Sequence, residues 1–185
     1  MTIRISLLAS AALLATACSQ PAPAESPAAT ASPSAAPAPT AQAALSPAEL
    51  TAMIQRDGGP DTVVALLQAP EDPRWLAVLN GISSGEQAWL DTIPLMGDGL
   101  DGEAAGSVSV SLSDALEHNA AGVLRIAAPL GYVEDVCFPM PPADNPGGEA
   151  AGDAQHARKI AAVEAVADPA LRTARAECLA VLRPQ

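Results

Sequence analysis

The chain has 185 residues, about one domain with material to spare, and sets 9 Lys plus Arg against 21 Asp plus Glu. A formal net charge of −12 repels phosphate backbones and anionic lipid heads, which argues against nucleic acid as a partner. The only aromatics are Trp75, Trp89, Tyr132 and Phe138, so a core must be built from Leu, Val, Ile and Ala, and with Lys159 as the sole lysine the usual Lys-based phosphate site or Schiff-base chemistry is not expected.

Residues 1–17 read as a signal peptide that is cleaved away. Arg4 supplies a basic start, Leu7, Leu8, Leu13 and Leu14 lie among Ala, Ser and Thr, and no acidic residue interrupts them. The apolar stretch is short for a membrane span. It ends in Leu14-Ala15-Thr16-Ala17-Cys18, which resembles the lipobox of bacterial lipoproteins, with Ala15 where that family most often has Leu. The resemblance implies cleavage before Cys18, a diacylglyceryl thioether on its sulfur and usually a third acyl chain, such as palmitate, on its amine. It makes the lipid bilayer the first partner, held through Cys18. Ser19 follows where an Asp would imply retention at the inner membrane, so the same resemblance points to the outer membrane, facing the periplasm. Cleavage after Ala17 with a free Cys18 is the alternative.

From Ser19 to Ala44 the chain holds six prolines, no large aliphatic residue and one charge, Glu25. Such a tract cannot bury enough apolar surface to offset ordering, so 18–44 is predicted to be a disordered linker with a reach of at most roughly 80 Å. The folded domain is expected over 45–185.

That domain is predicted to be all-α, with seven or eight short helices in an irregular bundle or a short helical-repeat-like array. Ser46-Pro47-Ala48-Glu49 combines an N-cap, a first-turn Pro and an acid placed for a capping box, and Leu50, Met53 and Ile54 follow at helical spacing. After Pro60, Val63, Val64, Leu66 and Leu67 are expected to face inward from a short helix. Asp72-Pro73 and Asp168-Pro169 look like further helix starts, the first leading Trp75, Leu76, Leu79 and Ile82, the second Leu171, Ala174, Cys178 and Leu182. "SVSVSLS", Ser107 to Ser113, alternates as a strand would, but Val108, Leu112, Ala115 and Leu116 share a helical face and a lone strand has nothing to pair with; a helix is favoured, with Asn119 as a boundary before Val123, Leu124 and Ile126. Ile160, Val163 and Val166 outline another stripe. "WLAVL" from Trp75 and "WLDTI" from Trp89 form a weak repeat, and both tryptophans are read as core anchors rather than sugar platforms. From Trp75 to Cys178 the chain also resembles small uncharacterised helical lipoproteins of proteobacteria, a likeness that implies no activity.

With Cys18 lipidated, Cys137 and Cys178 remain, an even number in an oxidising compartment, and a disulfide between them is expected. Two buried thiols or a redox pair are the alternatives; the pair is not arranged as C-x-x-C. The Pro- and Gly-rich stretch from Phe138 to Asp153 is read as a loop that the bridge would restrain.

Catalytic patterns are weak. Gly81-Ile82-Ser83-Ser84-Gly85 matches G-x-S-x-G, but an elbow of that kind places Ser83 between a strand and a helix, and the upstream side here reads as helix. His118 and His156 are isolated, so no metal site is expected, and no cofactor is implied. "GDGLDGE", Gly97 to Glu103, has Asp98 and Asp101 three apart and Ser109 where a calcium loop needs its final Glu, so a solvated turn is expected. The function expected is a non-enzymatic, membrane-anchored lipoprotein whose helical domain binds or scaffolds another envelope protein. The alternatives are a serine hydrolase using Ser83 and a periplasmic inhibitor or immunity-type protein.

Overall fold

Ser46 starts the folded chain as an N-cap: its hydroxyl accepts from the Glu49 N–H at 3.3 Å, while the Glu49 carboxylate accepts from the Ser46 N–H at 2.8 Å. This reciprocal box satisfies two of the donors that a helix start leaves free and begins α1, Pro47–Asp57. The computed structural model describes residues 45–68, 73–139 and 147–183; the signal segment, Cys18, the linker and the Asp72 cap lie outside the described residues.

Gly58, at φ +90°, turns the chain directly into α2, Gly59–Leu67. α3 follows as Arg74–Ser83, then two single turns, α4 (Gln87–Leu90) and α5 (Ile93–Met96), and a 3-10 turn at Gly97–Gly99. The long α6 runs Gly102–Leu130, α7 is Val133–Cys137, α8 is Glu149–Glu164 and α9 is Arg172–Leu182. Among the described residues, leaving the two single turns aside, seven helices remain, or eight when α6 is divided at Asn119, and no strand occurs. All described residues fall in one unit of contacts.

α6 is the spine because its apolar positions recur on more than one side. Val108, Leu112, Ala115 and Leu116 are fully buried in its first half, and Val123, Leu124 and Ala127 in its second. It packs against α3, α4, α7, α8 and α9, and the buried side chains from Leu45 to Leu182 form one continuous core. "SVSVSLS" is therefore helical, as its 3.6-residue spacing predicts. Asn119 is the predicted boundary, with φ −152° and ψ 62°. Its side-chain oxygen accepts from the Gly122 N–H at 2.9 Å, so it acts as the N-cap of a second helix that continues the first across a kink.

Two inward assignments are corrected. Val64 and Leu76 are exposed. On α2 the neighbours cover the side that carries Val63 and Leu66, and Val64 lies about 100° round from Val63. On α3 the stripe is Trp75, Val78, Leu79 and Ile82, and Leu76 is likewise one residue off it. The two tryptophan copies also differ: Trp75 sits half-buried in a ten-residue helix, whereas Trp89 is buried in a single turn, so the repeat in sequence is not a repeat in local structure. The Pro- and Gly-rich loop ends earlier than expected, since Glu149 to Asp153 already belong to α8.

At the far end, Asp168 accepts from the Ala170 N–H at 2.9 Å and starts the 3-10 turn Pro169–Leu171, which leads into α9. Leu171, Ala174, Cys178 and Leu182 are all buried, as their spacing predicts. Lys159 is 6 % exposed on α8 and sends its ammonium to Ser113 Oγ at 3.0 Å and Asp114 Oδ1 at 3.4 Å on α6. Arg158 meets Glu117 beside it. The sole lysine thus ties α8 to α6.

The capping box carries a pH prediction. Side-chain and then backbone hydrogen bonding to Ser46 hold the Glu49 carboxyl below its ordinary value, so its contribution is present above the unfolded carboxylate range and is lost as pH falls through the lower folded value. Wild type and Glu49→Gln are expected to differ in melting temperature near neutrality and to converge on acidification. A gap that stays constant across that range would show that the carboxylate charge is immaterial.

Candidate functional site

The glycines and serines of GISSG can be traced to packing. Ser83 closes α3 and Ser84 caps it, with Ser84 Oγ donating to the Gly81 carbonyl at 2.6 Å. Gly81 carries no side chain because a Cβ there would overlap the Trp89 indole. Gly85 takes φ +73° at the end of the helix, where its N–H reaches the Ile82 carbonyl at 3.0 Å. The Gly85 carbonyl in turn accepts from Asn119 Nδ2 at 2.9 Å, so the end of α3 is latched onto the kink in α6. A helix precedes Ser83 where a hydrolase elbow has a strand.

The other candidates resolve in the same way. His118 is exposed beside Glu117 at 3.7 Å, and His156 is half-buried on α8. In GDGLDGE, Gly97 and Gly102 have positive φ, and Gly99 lies against Pro60, where a Cβ would come within 2.7 Å of its Cα. Asp98 and Asp101 are exposed, but only part of the stretch is the solvated turn expected: Gly99 and Leu100 are buried, and Gly102 and Glu103 already belong to α6. No group of three or more His, Cys, Asp or Glu side chains among the described residues is placed to hold a metal ion, and no described helix is long and apolar enough to cross a membrane.

Cys137 and Cys178 do meet. Their Cα atoms are 5.2 Å apart and the sulfurs are at disulfide distance, joining the end of α7 to the middle of α9 across 41 residues of sequence. Both are fully buried. The bridge fixes the backbone just before Phe138, which is 65 % exposed.

Beside that bridge lies a surface groove with exposed apolar side chains. The groove, of about 210 Å³, opens between α6 and α7, lined by Ser109, Val110, Ser113, Asp135 and Phe138. Val110 is 49 % exposed, so two large apolar side chains face solvent at one place. Ser113 accepts from the Lys159 ammonium, which leaves its own O–H free to donate into the groove. On the other flank of α7 a second groove is lined by Val133, Glu134, Glu177, Ala180 and Val181. Glu134, Asp135 and Glu177 have no ion-pair partner among the described residues.

Sequence reasoning did not single out Val110, Asp135 or Phe138 for this role. The available signal was Val110 itself, the one apolar residue of "SVSVSLS" that falls off the stripe of Val108 and Leu112. Comparison with family models, with curated proteins and with solved structures finds no match to this chain.

Proposed function

We propose that the protein is a lipid-anchored envelope protein, non-enzymatic, whose helical domain binds or scaffolds another envelope protein. The observation that carries this reading is Leu14-Ala15-Thr16-Ala17-Cys18, where small residues follow an apolar run and lead straight into a Pro/Ala tract. A diacylglyceryl group on the Cys18 sulfur, with a third chain on its amine, would hold the protein durably, because each buried methylene contributes ~0.8 kcal/mol and a single chain binds only reversibly. Ser19 favours the outer membrane.

The remainder of the chain is consistent with that role. The linker can carry the domain clear of the lipid surface, and the domain presents acid-rimmed apolar grooves on both flanks of a disulfide-held helix. An acidic domain that binds a basic partner gains association rate from complementary charge.

In cells fed an alkyne fatty acid, the protein is expected to take up label through Cys18. Cys18→Ser should abolish labelling and precursor cleavage together. If the substituted chain is still cut at the same place and released in soluble form, ordinary signal-peptide cleavage replaces the anchor.

A further inference from the structure

We infer that the groove between α6 and α7 is the docking site for a basic segment of a partner protein, which seats one apolar side chain between Val110 and Phe138 and sets a Lys or Arg against Asp135. The inference rests on the reading of the domain as a binding module and names the chemistry of what it binds.

Three features select this occupant. The groove, at about 210 Å³, is smaller than the ~300–1,000 Å³ of pockets for drug-sized ligands and suits a single large side chain of a polypeptide. Its charge is one-sided: Asp135 has no ion-pair partner among the described residues, and neither has Glu103, two helical turns before Val110 on α6. The nearby cations are committed, Lys159 to Asp114 and Arg158 to Glu117. A cation brought by the partner therefore meets the Asp135 carboxylate and no Lys or Arg among the residues that line the groove. Finally, the anchor wall is held in advance, because Cys137 is pinned to α9 and Phe138 follows it directly, so little ordering remains to be done on binding. The free Ser113 O–H can donate to a backbone carbonyl of the incoming segment.

Other occupants fit less well. Residues 18–44 contain no Lys or Arg to set against Asp135. A second copy would bring the same excess of acid to the contact.

The test uses the unlipidated chain from residue 18 onward carrying Cys18→Ser, and three short synthetic peptides: one of Lys and Phe, one of Lys and Ser with the same charge, and one of Glu and Phe. The Lys/Phe peptide should bind and shift amide resonances at residues 109–113 and 135–138. Phe138→Ser and Asp135→Asn should each weaken binding roughly tenfold, with melting unchanged, while Asp98→Asn, which does not line the groove, should not. Equal binding of the Lys/Ser peptide, unchanged affinity in both groove variants, or shifts confined to another surface would overturn the site. Self-association that Phe138→Ser abolishes would make the occupant a second copy and overturn it also. A photo-crosslinker placed in cells at Phe138 and at exposed Leu76 separates the two levels of the proposal. Capture of a basic protein at Phe138 supports the groove; capture only at Leu76 rejects the groove and leaves the binding-module reading intact; capture at neither position rejects both.

Discussion

Cys137→Ser or Cys178→Ser is expected to lower the unfolding free energy by about 4 kcal/mol, read from urea midpoints of the oxidised protein and of either variant. The bridge spans 41 residues of sequence, and cross-linking a loop of that length removes conformational freedom chiefly from the unfolded chain. Its place in the fold adds to the effect. α7 is five residues long, too short to persist as a helix without tertiary contacts, and it is held by α6 and by α9. Freed from α9, it loses one of its two supports, and Phe138 loses its fixed position. The supporting chemistry is a mass measurement: unfolded, unreduced protein lacking Cys18 should take no alkylating label, and two labels after reduction. Two labels before reduction would mean that the thiols are free, and the expected stability loss would go with them.

Trp89→Ala should cost about 3–5 kcal/mol, the range for removing a large aromatic from a core. Trp89 is 8 % exposed and its indole lies over Gly81 on α3, where there is no room for a Cβ. Gly81→Ala is accordingly expected to destabilise by about 1–3 kcal/mol, although alanine is the better helix former, because the overlap involves a rigid ring rather than the end of a flexible chain. The decisive measurement is a double-mutant cycle with Trp89→Leu. If the contact is the cause, Gly81→Ala should be tolerated, or even stabilising, once the indole is gone, giving a coupling on the order of 1–3 kcal/mol. Additive effects would show that Gly81 is needed for some reason other than its seat under Trp89.

Much of the fold was legible because its signals are local. The capping box at Ser46 and Glu49, the Asp168 cap and the apolar spacing of Val108, Leu112, Ala115 and Leu116 each depend on residues within a few turns of one another, and each appears in the structure as the spacing predicts. Asn119 belongs to the same group: a residue that favours caps, set between two apolar stripes, marks a helix boundary whatever lies around it. The outcome was poorer where a neighbour decides. Val64 and Leu76 are ordinary apolar residues on amphipathic helices, and their exposure follows from which side of each helix its neighbours cover.

The candidate groove shows the same division. Val110 and Ser113 lie on α6, Asp135 and Phe138 at α7, more than twenty residues later, and they come together because the chain reverses after Leu130 through Gly131 at φ +73° and because the bridge to α9 then holds α7 in place. By itself the sequence determined an all-α domain from about Leu45, the capped starts at Ser46 and Asp168, the kink at Asn119 and an expected pairing of Cys137 with Cys178, all of which follow from helical period, capping chemistry and cysteine number. Only the tertiary structure decided which glycines are seats for distant groups, Gly81 for the Trp89 ring and Gly59 for the backbone oxygens of Leu95 and Met96, and which apolar residues are left facing water. The physical reason is range: hydrogen-bonded caps and helical period act over one to four residues, whereas burial is settled by surfaces that approach from anywhere in the chain.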